Sequence, residues 1–160
     1  MVQGAAAQQN WVEYRPAGEG FRVEFPGRPT VTQEDSAGTR YGRSRRATAK
    51  FELPSGVIFY ATFTAYPPGT ASREPTNVLD TERLGRTAVG TLRSERRFSF
   101  KAYPAQQETV DWQGPRPMVI VARDVLRGDT LYSVYCLVPP GKESHPGVDR
   151  FLDSFDLLAP

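Results

Sequence analysis

Two segments of this chain carry bulky apolar residues on both faces of an extended strand, and this limits the folds open to it. Successive side chains of a strand point to opposite faces of the sheet. In residues 57–66 one face has Val57, Phe59 and Phe63, and the other has Ile58, Tyr60 and Tyr66. Residues 118–126 repeat this pattern. Strands covered on both sides lie inside a sheet, so the sequence predicts a sheet with these two strands side by side at its centre.

The remaining strands are predicted from shorter patterns. Residues 11–14 and 21–25 form an opening hairpin, because apolar and charged residues alternate in the second segment and Pro16 and Gly18 mark the turn. Residues 41–51 pair with 57–66 across a turn at 53–56. Both faces of the 41–51 strand are polar and rich in arginine, which suits an edge strand. Further strands are predicted at 98–103, 107–112, 118–126 and 130–138, and a two-residue turn containing Gly128 joins the last two.

Two helices are predicted. The first runs from an N-cap at Asn77 to about residue 93, with Leu84, Ala88, Val89 and Leu92 buried and with Glu82 and Arg86 paired on its exposed side. The second has the apolar stripe Val148, Phe151, Leu152 and Phe155, and a short strand follows at 156–158. The expected fold class is α+β: an α/β/α sandwich with a mostly antiparallel central sheet.

Length and the N-terminus bear on organisation and location. The 160 residues suit one domain at 11–160, behind a flexible tail at 1–10. Residues 5–8 (AAAQ) look like the small-residue end of a signal peptide, so we expect an exported protein, periplasmic or in the cell envelope. No apolar run approaches the ~18 residues of a membrane helix, so no transmembrane segment is expected.

Few residues offer chemistry. Cys136 lies in an apolar run, where a buried thiol is expected, and His145, the sole histidine, is interpreted as a helix-entry residue without catalytic partners. No metal site follows from one cysteine and one histidine. The chain has no glycine-rich phosphate loop, so we expect no cofactor.

Several acidic residues are candidates for paired-carboxylate catalysis or for calcium binding, but their spacing fits neither, and a solvated surface is the favoured interpretation. Asp124 and Asp129 flank a predicted hairpin tip, and Asp149, Asp153 and Asp156 lie on or near the last helix, without the spacing of a calcium loop. Residues 127–129 spell an integrin-recognition tripeptide, Arg-Gly-Asp, which the hairpin turn already explains.

The strongest candidate for a binding surface is an arginine-rich strand. Arg40, Arg43, Arg45 and Arg46, near Lys50, could bind phosphate or carboxylate groups. The alternative is that these charges protect an exposed sheet edge from aggregation, and this interpretation is favoured. A second basic group is Arg93, Arg96 and Arg97. Basic and acidic residues share the same segments and the net charge is only +2, so no nucleic-acid binding is expected.

Two motifs carry a resemblance to a known family. Residues 20–29 (GFRVEFPGRP) and 148–155 (VDRFLDSF) resemble uncharacterised exported bacterial proteins of the PsbP-like α/β/α sandwich type. The resemblance spans about residues 11–158 and makes the first motif a strand and the second a helix on the sheet. Its photosynthetic members are accessory subunits of a larger complex, so the resemblance implies partner binding rather than catalysis. No site residue or metal-binding role is carried over.

The sequence therefore predicts a non-enzymatic, exported accessory domain that binds an unknown protein partner. The alternative is a small-ligand or polyanion-binding module that uses the arginine-rich strand or an aromatic cleft near Trp112 and Tyr132. An enzyme is a third possibility.

Overall fold

The computed structural model describes residues 10–159. Its strands are β1 (Val12–Tyr14), β2 (Phe21–Phe25), β3 (Thr30–Thr39), β4 (Gly42–Glu52), β5 (Ile58–Ala65), β6 (Gly90–Phe100), β7 (Tyr103–Trp112), β8 (Met118–Arg127), β9 (Thr130–Val138) and β10 (Asp156–Leu157). Its helices are α1 (Pro75–Thr87) and α2 (Pro146–Ser154), with a short 3₁₀ helix at Ala71–Arg73. The predicted tail at 1–10, with its signal-like alanines, lies outside the described residues except for Asn10.

Seven strands form one antiparallel sheet in the order β3-β4-β5-β9-β8-β7-β6. The two segments that are apolar on both faces, β5 and β8, are interior strands as predicted. They are not neighbours, however, because β9 lies between them: Tyr135 of β9 is opposite Tyr60 on one side and Ala122 on the other. The tight turn after β8 returns the chain directly alongside that strand, so β5 pairs with the far side of β9.

The sheet edges are where the sequence prediction was wrong. Strand β3 was not predicted, and β6 begins at Gly90 rather than at residue 98. Both strands are largely exposed, so neither needs the apolar alternation by which a strand is recognised. Because β3 pairs along the outer side of β4, the arginine-rich strand β4 is not the edge of the sheet.

Helix α1 is shorter than predicted and buries different residues. It begins at Pro75 and ends at Thr87, and Asn77 is inside it, donating a 2.7 Å hydrogen bond to the hydroxyl of Tyr41. Val78 and Leu79 are buried, whereas Leu84 and Val89 of the predicted stripe are 60% and 50% exposed. The apolar periodicity through Leu84 and Val89 predicted the wrong buried side, because the helix ends at Thr87 and the chain enters β6 at Gly90.

The face of the large sheet opposite α1 is covered by α2, as predicted, and by a separate small sheet, β1-β2-β10, which was not predicted. Phe151 of α2 contacts two other buried rings, with centroid distances of 5.1 Å to Phe25 and 5.2 Å to Phe59. Edge-to-face aromatic pairs of this kind add to the stabilisation from burial. Phe155, at the end of the helix, is also buried.

These layers confirm the predicted fold class, an α+β sandwich built on a mostly antiparallel sheet. Helix α1 packs on β6, β7 and β8 on one face, and α2 and the small sheet lie on the other. Neither helix in the described part of the chain is long and apolar enough to cross a membrane.

The β8–β9 turn also anchors the loop that precedes α1. Gly128 has a φ of 58°, which suits the first central position of a tight hairpin turn. The carboxylate of Asp129 accepts backbone N–H bonds from Gly69, Thr70 and Ser72 at 2.8, 3.1 and 2.8 Å. The Arg-Gly-Asp tripeptide therefore has a structural role in this turn.

We predict that Asp129→Ala lowers the free energy of unfolding by about 2 kcal/mol, because it removes three charge-assisted hydrogen bonds. Asp129→Asn keeps one acceptor oxygen and should lose less. Chemical denaturation measures both variants, and limited proteolysis should show faster cleavage in residues 67–73. An Asp129→Ala variant as stable as the wild type would contradict the anchoring role.

Candidate functional site

The arginines that the sequence singled out do not share one surface. Arg45 and Arg46 are consecutive in β4, so their side chains point to opposite faces of the large sheet. Arg45 donates two hydrogen bonds to Glu19, at 2.8 and 3.1 Å. Arg40 pairs with the glutamate that precedes α1 at 2.9 Å, and Arg43 is exposed. Of the arginines within β4, only Arg46 lies on the face that carries α1.

A cleft of about 470 Å³ opens beside α1 on that face, and we call it the α1 cleft. Its lining residues are Arg46, Tyr60 and Thr81, then Glu82, Gly85, Arg86 and Val89, and finally Ile120, Tyr135 and Leu137. The cleft forms because α1 packs on β6–β8 and leaves the β5 side of the same face uncovered. Its volume is within the usual range for small-molecule sites.

A row of four side chains crosses the sheet at this cleft. The rings of Tyr60 and Tyr135 stack with centroids 4.8 Å apart and an angle of 13° between them. Lys50 lies 5.7 Å from the Tyr60 centroid, and Arg86 lies 5.7 Å from that of Tyr135. Since each ring faces a second ring on one side and a cation on the other, the tyrosines present their edges and hydroxyl groups to the cleft.

Beneath the helix, Arg86 enters a buried cluster of polar side chains, which we call the Arg86 cluster: Glu82, Arg86, Gln106, Glu108, Asp124 and Ser133. Arg86 donates two hydrogen bonds to Asp124, at 2.6 and 2.7 Å, and a third to Glu108 at 3.2 Å. The side chain of Arg86 is 11% exposed and that of Asp124 is fully buried. The bidentate geometry makes this the strong form of an ion pair.

Asp124 is held by neutral donors as well. Ser133 donates to one carboxylate oxygen at 2.6 Å, and Gln106 donates to the other at 2.8 Å. The same Gln106 amide donates to the backbone carbonyl of Leu79 in α1 at 2.8 Å. Helix α1 is thus tied to the sheet through both Arg86 and Leu79.

The pKa values of the central pair move in opposite directions. Burial acts to raise the pKa of Asp124, but the charge and hydrogen bonds of Arg86, with Ser133 and Gln106, hold it below its ordinary value. Burial acts to lower the pKa of Arg86, and Asp124 outweighs this effect, so the pKa of Arg86 is raised. Both groups therefore stay charged around neutral pH.

Unlike Asp124, the two glutamates of the cluster, Glu82 and Glu108, have raised pKa values. Burial raises the pKa of Glu108 to about 7, against the opposing effect of Arg86. Burial also raises the pKa of Glu82, and the charge of Asp124 adds to the shift. One oxygen of Glu108 is buried without a hydrogen-bond partner among the described residues. Glu108 is therefore a group of the cluster whose protonation state changes near neutral pH.

Sequence reasoning placed part of this site incorrectly. The pair of Glu82 and Arg86 was predicted on the exposed side of its helix and instead faces the sheet, because the true helix has a different buried side. The sequence analysis placed Asp124 with Asp129 at a hairpin tip and did not pair it with Arg86. The available signal was a charged residue on an otherwise apolar strand, because such a charge needs a buried partner.

The other candidate residues lie elsewhere. Trp112 and Tyr132 are on opposite faces of the large sheet and in different core clusters, so they do not line one aromatic cleft together. His145 caps α2, as its Nδ1 accepts the N–H of Gly147 at 3.0 Å. Cys136 is buried, and burial raises the pKa of its thiol.

The second basic group and the remaining aspartates are surface features. Arg93 pairs with Asp111, and Arg97 pairs with Asp80, both at 2.5 Å, whereas Arg96 lies over a phenylalanine ring. Asp149 and Asp153 are exposed on α2. In the span 10–159, no three histidine, cysteine or acidic residues are arranged to hold a metal ion.

We predict that Glu108 makes the protein less stable as pH rises from about 4.5 to 7. A carboxyl whose pKa is higher in the folded state holds its proton more tightly there, so that contribution is lost across this interval, by an amount on the order of 2–3 kcal/mol. The Glu108→Gln variant should lack this part of the slope. Its unfolding free energy, measured by urea denaturation at several pH values, should fall less than that of the wild type.

The exposed Glu52, on β4, provides the control, since Glu52→Gln should leave the pH dependence unchanged. Parallel curves for the wild type and Glu108→Gln would show that Glu108 does not titrate in this range.

Comparison with known proteins identifies the fold. No protein-family model matches the sequence, and no curated protein is significantly similar to it. Among solved structures, cyanobacterial PsbP (CyanoP) from Synechocystis gives a TM-score of 0.56 at 10% identity, over 98% of each chain. A protein of unknown function from Pseudomonas aeruginosa gives 0.48 at 12% identity, over 94% of this chain and 96% of its own. The likeness to cyanobacterial PsbP concerns the fold alone, and it confirms the resemblance at that level: the chain has a PsbP-like fold.

Proposed function

We propose that this protein is a non-enzymatic binding module, an accessory domain that recognises a ligand or a partner through the α1 cleft. The observation that carries the proposal is that the side chains of the Arg86 cluster contact one another, whereas those of the neighbouring α1 cleft face open space. The Arg86 cluster is engaged internally, whereas Arg46 and the tyrosine edges face an open cleft. Such a concave site, with a few polar groups among apolar ones, is typical of ligand binding.

Binding has more support than catalysis at this site. Arg86 and Asp124 are the residues with the most strongly organised geometry, and their hydrogen bonds are directed at each other, at Glu108, at Ser133 and at Gln106. A catalytic pair would direct such groups at a substrate atom. The cluster instead fixes the position of α1 and so keeps the cleft open.

Polyanion binding by the whole arginine-rich strand is the second candidate, and it has less support. It would require Arg43, Arg45 and Arg46 to act on one surface, whereas alternation along β4 sends Arg45 to the other face, where Glu19 engages it. A polyanion would then contact only part of the set.

Gly85 provides the test of the cleft. A Cβ added at Gly85 meets no atom within 4 Å, so larger side chains fit the helix and extend into the cleft. Gly85→Phe should fill the cleft and abolish binding, and Gly85→Ala is the matched control. Ligand screening by thermal shift, together with partner capture from a cell-envelope extract, should give at least one interaction that the control retains and Gly85→Phe loses. If every interaction found survives Gly85→Phe, the α1 cleft is not the binding site.

We also predict that Gly85→Ala raises the free energy of unfolding by about 0.5–1 kcal/mol, because glycine inside a helix is less favourable than alanine by this amount. Denaturant unfolding measures the gain. A loss of stability would mean that the helix needs glycine here for a contact that the structure does not show.

Export is a separate part of the proposal. Its support is the small-residue pattern at residues 5–8 and the resemblance to exported proteins. Fractionation of cells that carry a C-terminally tagged native gene should place the protein in the periplasmic or envelope fraction. Recovery from the cytosol alone would overturn this part of the proposal.

A further inference from the structure

Arg46 is a guanidinium in the α1 cleft that the described residues leave without an acceptor. Its Nε is buried and forms no hydrogen bond, and no carboxylate within residues 10–159 lies within 4.0 Å of it. Nearby arginines differ, since Arg45 is engaged by Glu19 and Arg86 by Asp124. A buried donor without an acceptor is unfavourable, and the rest of the Arg46 guanidinium is the part that a ligand in the cleft can reach.

The charges around the cleft favour an anionic acceptor. Lys50 and Arg86 lie at the two ends of the stacked tyrosine pair, and Arg46 is a third cation, in the lining of the cleft. Of the acidic residues, Asp124 is neutralised by its bidentate contact with Arg86. Burial raises the pKa of Glu108 to about 7 and also raises the pKa of Glu82, so it favours the protonated form of each. Arg46 is therefore the cation of the cleft lining that no carboxylate within residues 10–159 contacts directly.

The same cleft has an apolar side that a bare inorganic ion would not cover. Val89 is 50% exposed, and it lines the cleft together with Ile120 and Leu137. Covering such residues stabilises a complex in proportion to the apolar area removed from water. A ligand that fits both sides has an anionic head for Arg46 and an apolar body for Val89.

We propose that the α1 cleft binds an amphiphilic carboxylate, with Arg46 as the residue that pairs with its carboxylate group. Arg46 offers two parallel N–H donors to the two carboxylate oxygens, the geometry that guanidinium and carboxylate groups prefer. The tyrosine hydroxyls at the cleft are further donors. The inference rests on the proposed function, because it names the ligand class for the same cleft.

The test uses hexanoate and phenylacetate as probes, with hexanamide and phenylacetamide as uncharged counterparts of the same shape. Isothermal titration of the full chain should show binding of both acids and at least tenfold weaker binding of both amides. Arg46→Gln should weaken binding of the acids by roughly 10- to 100-fold, the usual effect of losing a hydrogen-bonded charge partner. Arg46→Lys keeps the charge without the paired donors and should have an intermediate effect.

Arg43→Gln is the matched control, since Arg43 is an exposed arginine of the same strand, and it should bind the acids like the wild type. Equal binding of acids and amides, or acid binding unchanged in folded Arg46→Gln, would overturn the inference. So would inorganic phosphate binding as tightly as the organic acids, since the apolar body would then contribute nothing.

The peptide Gly-Gly-Phe, with a free or an amidated C-terminus, identifies the source of the carboxylate. Binding of the free peptide but not of the small acids, with the same dependence on Arg46, would support the inference and assign the carboxylate to a partner's chain end. If no carboxylate binds while Gly85→Phe still abolishes capture of another ligand, the inference fails and the proposed function stands. If Gly85→Phe changes no interaction at all, both fail.

Discussion

The ion pair between Arg86 and Asp124 is the constraint on which this face of the molecule depends. Asp124 lies in the middle of an apolar strand, and a carboxylate buried there is tolerated only when it is paired and fully hydrogen-bonded. Its partner, Arg86, belongs to α1, so the ion pair with the buried Asp124 carboxylate fixes the position of the helix over the sheet. Where α1 stops covering the sheet, the α1 cleft begins.

How much of this could be foreseen depends on whether a residue's neighbours are close in sequence. The alternation in β2 and the apolar stripe of α2 are local patterns, and both elements were predicted. Strands β3 and β6 lie at the edges of the sheet, where exposed side chains are under little demand to be apolar, so they left no comparable signal. The contact of Arg86 with Asp124 depends on which side of α1 is buried, and the apparent stripe through Leu84 and Val89 pointed to the wrong side.

The Arg86 cluster below α1 and the α1 cleft differ in how their side chains are engaged. Below the helix, Gln106, Ser133 and Arg86 satisfy Asp124, which makes the cluster a rigid support. Above the helix, Arg46 lies in the arginine-rich strand that the sequence indicated, and its Nε is buried without an acceptor in the described part of the chain. The PsbP-like fold supplies the framework, and under the proposed function the side chains on the open half of one sheet face would supply the specificity.

Strand β3 has a consequence for how this protein can change over evolutionary time. Its ten residues are exposed almost throughout, and at Gly38, in the irregular part of the strand, an added side chain would meet open space. Substitutions of the exposed side chains of β3 disturb neither core nor cleft, whereas the adjoining turn is tied to α1 through Arg40 and Tyr41. New surface features can therefore accumulate at this margin of the domain while Asp124 and its partners hold the architecture constant.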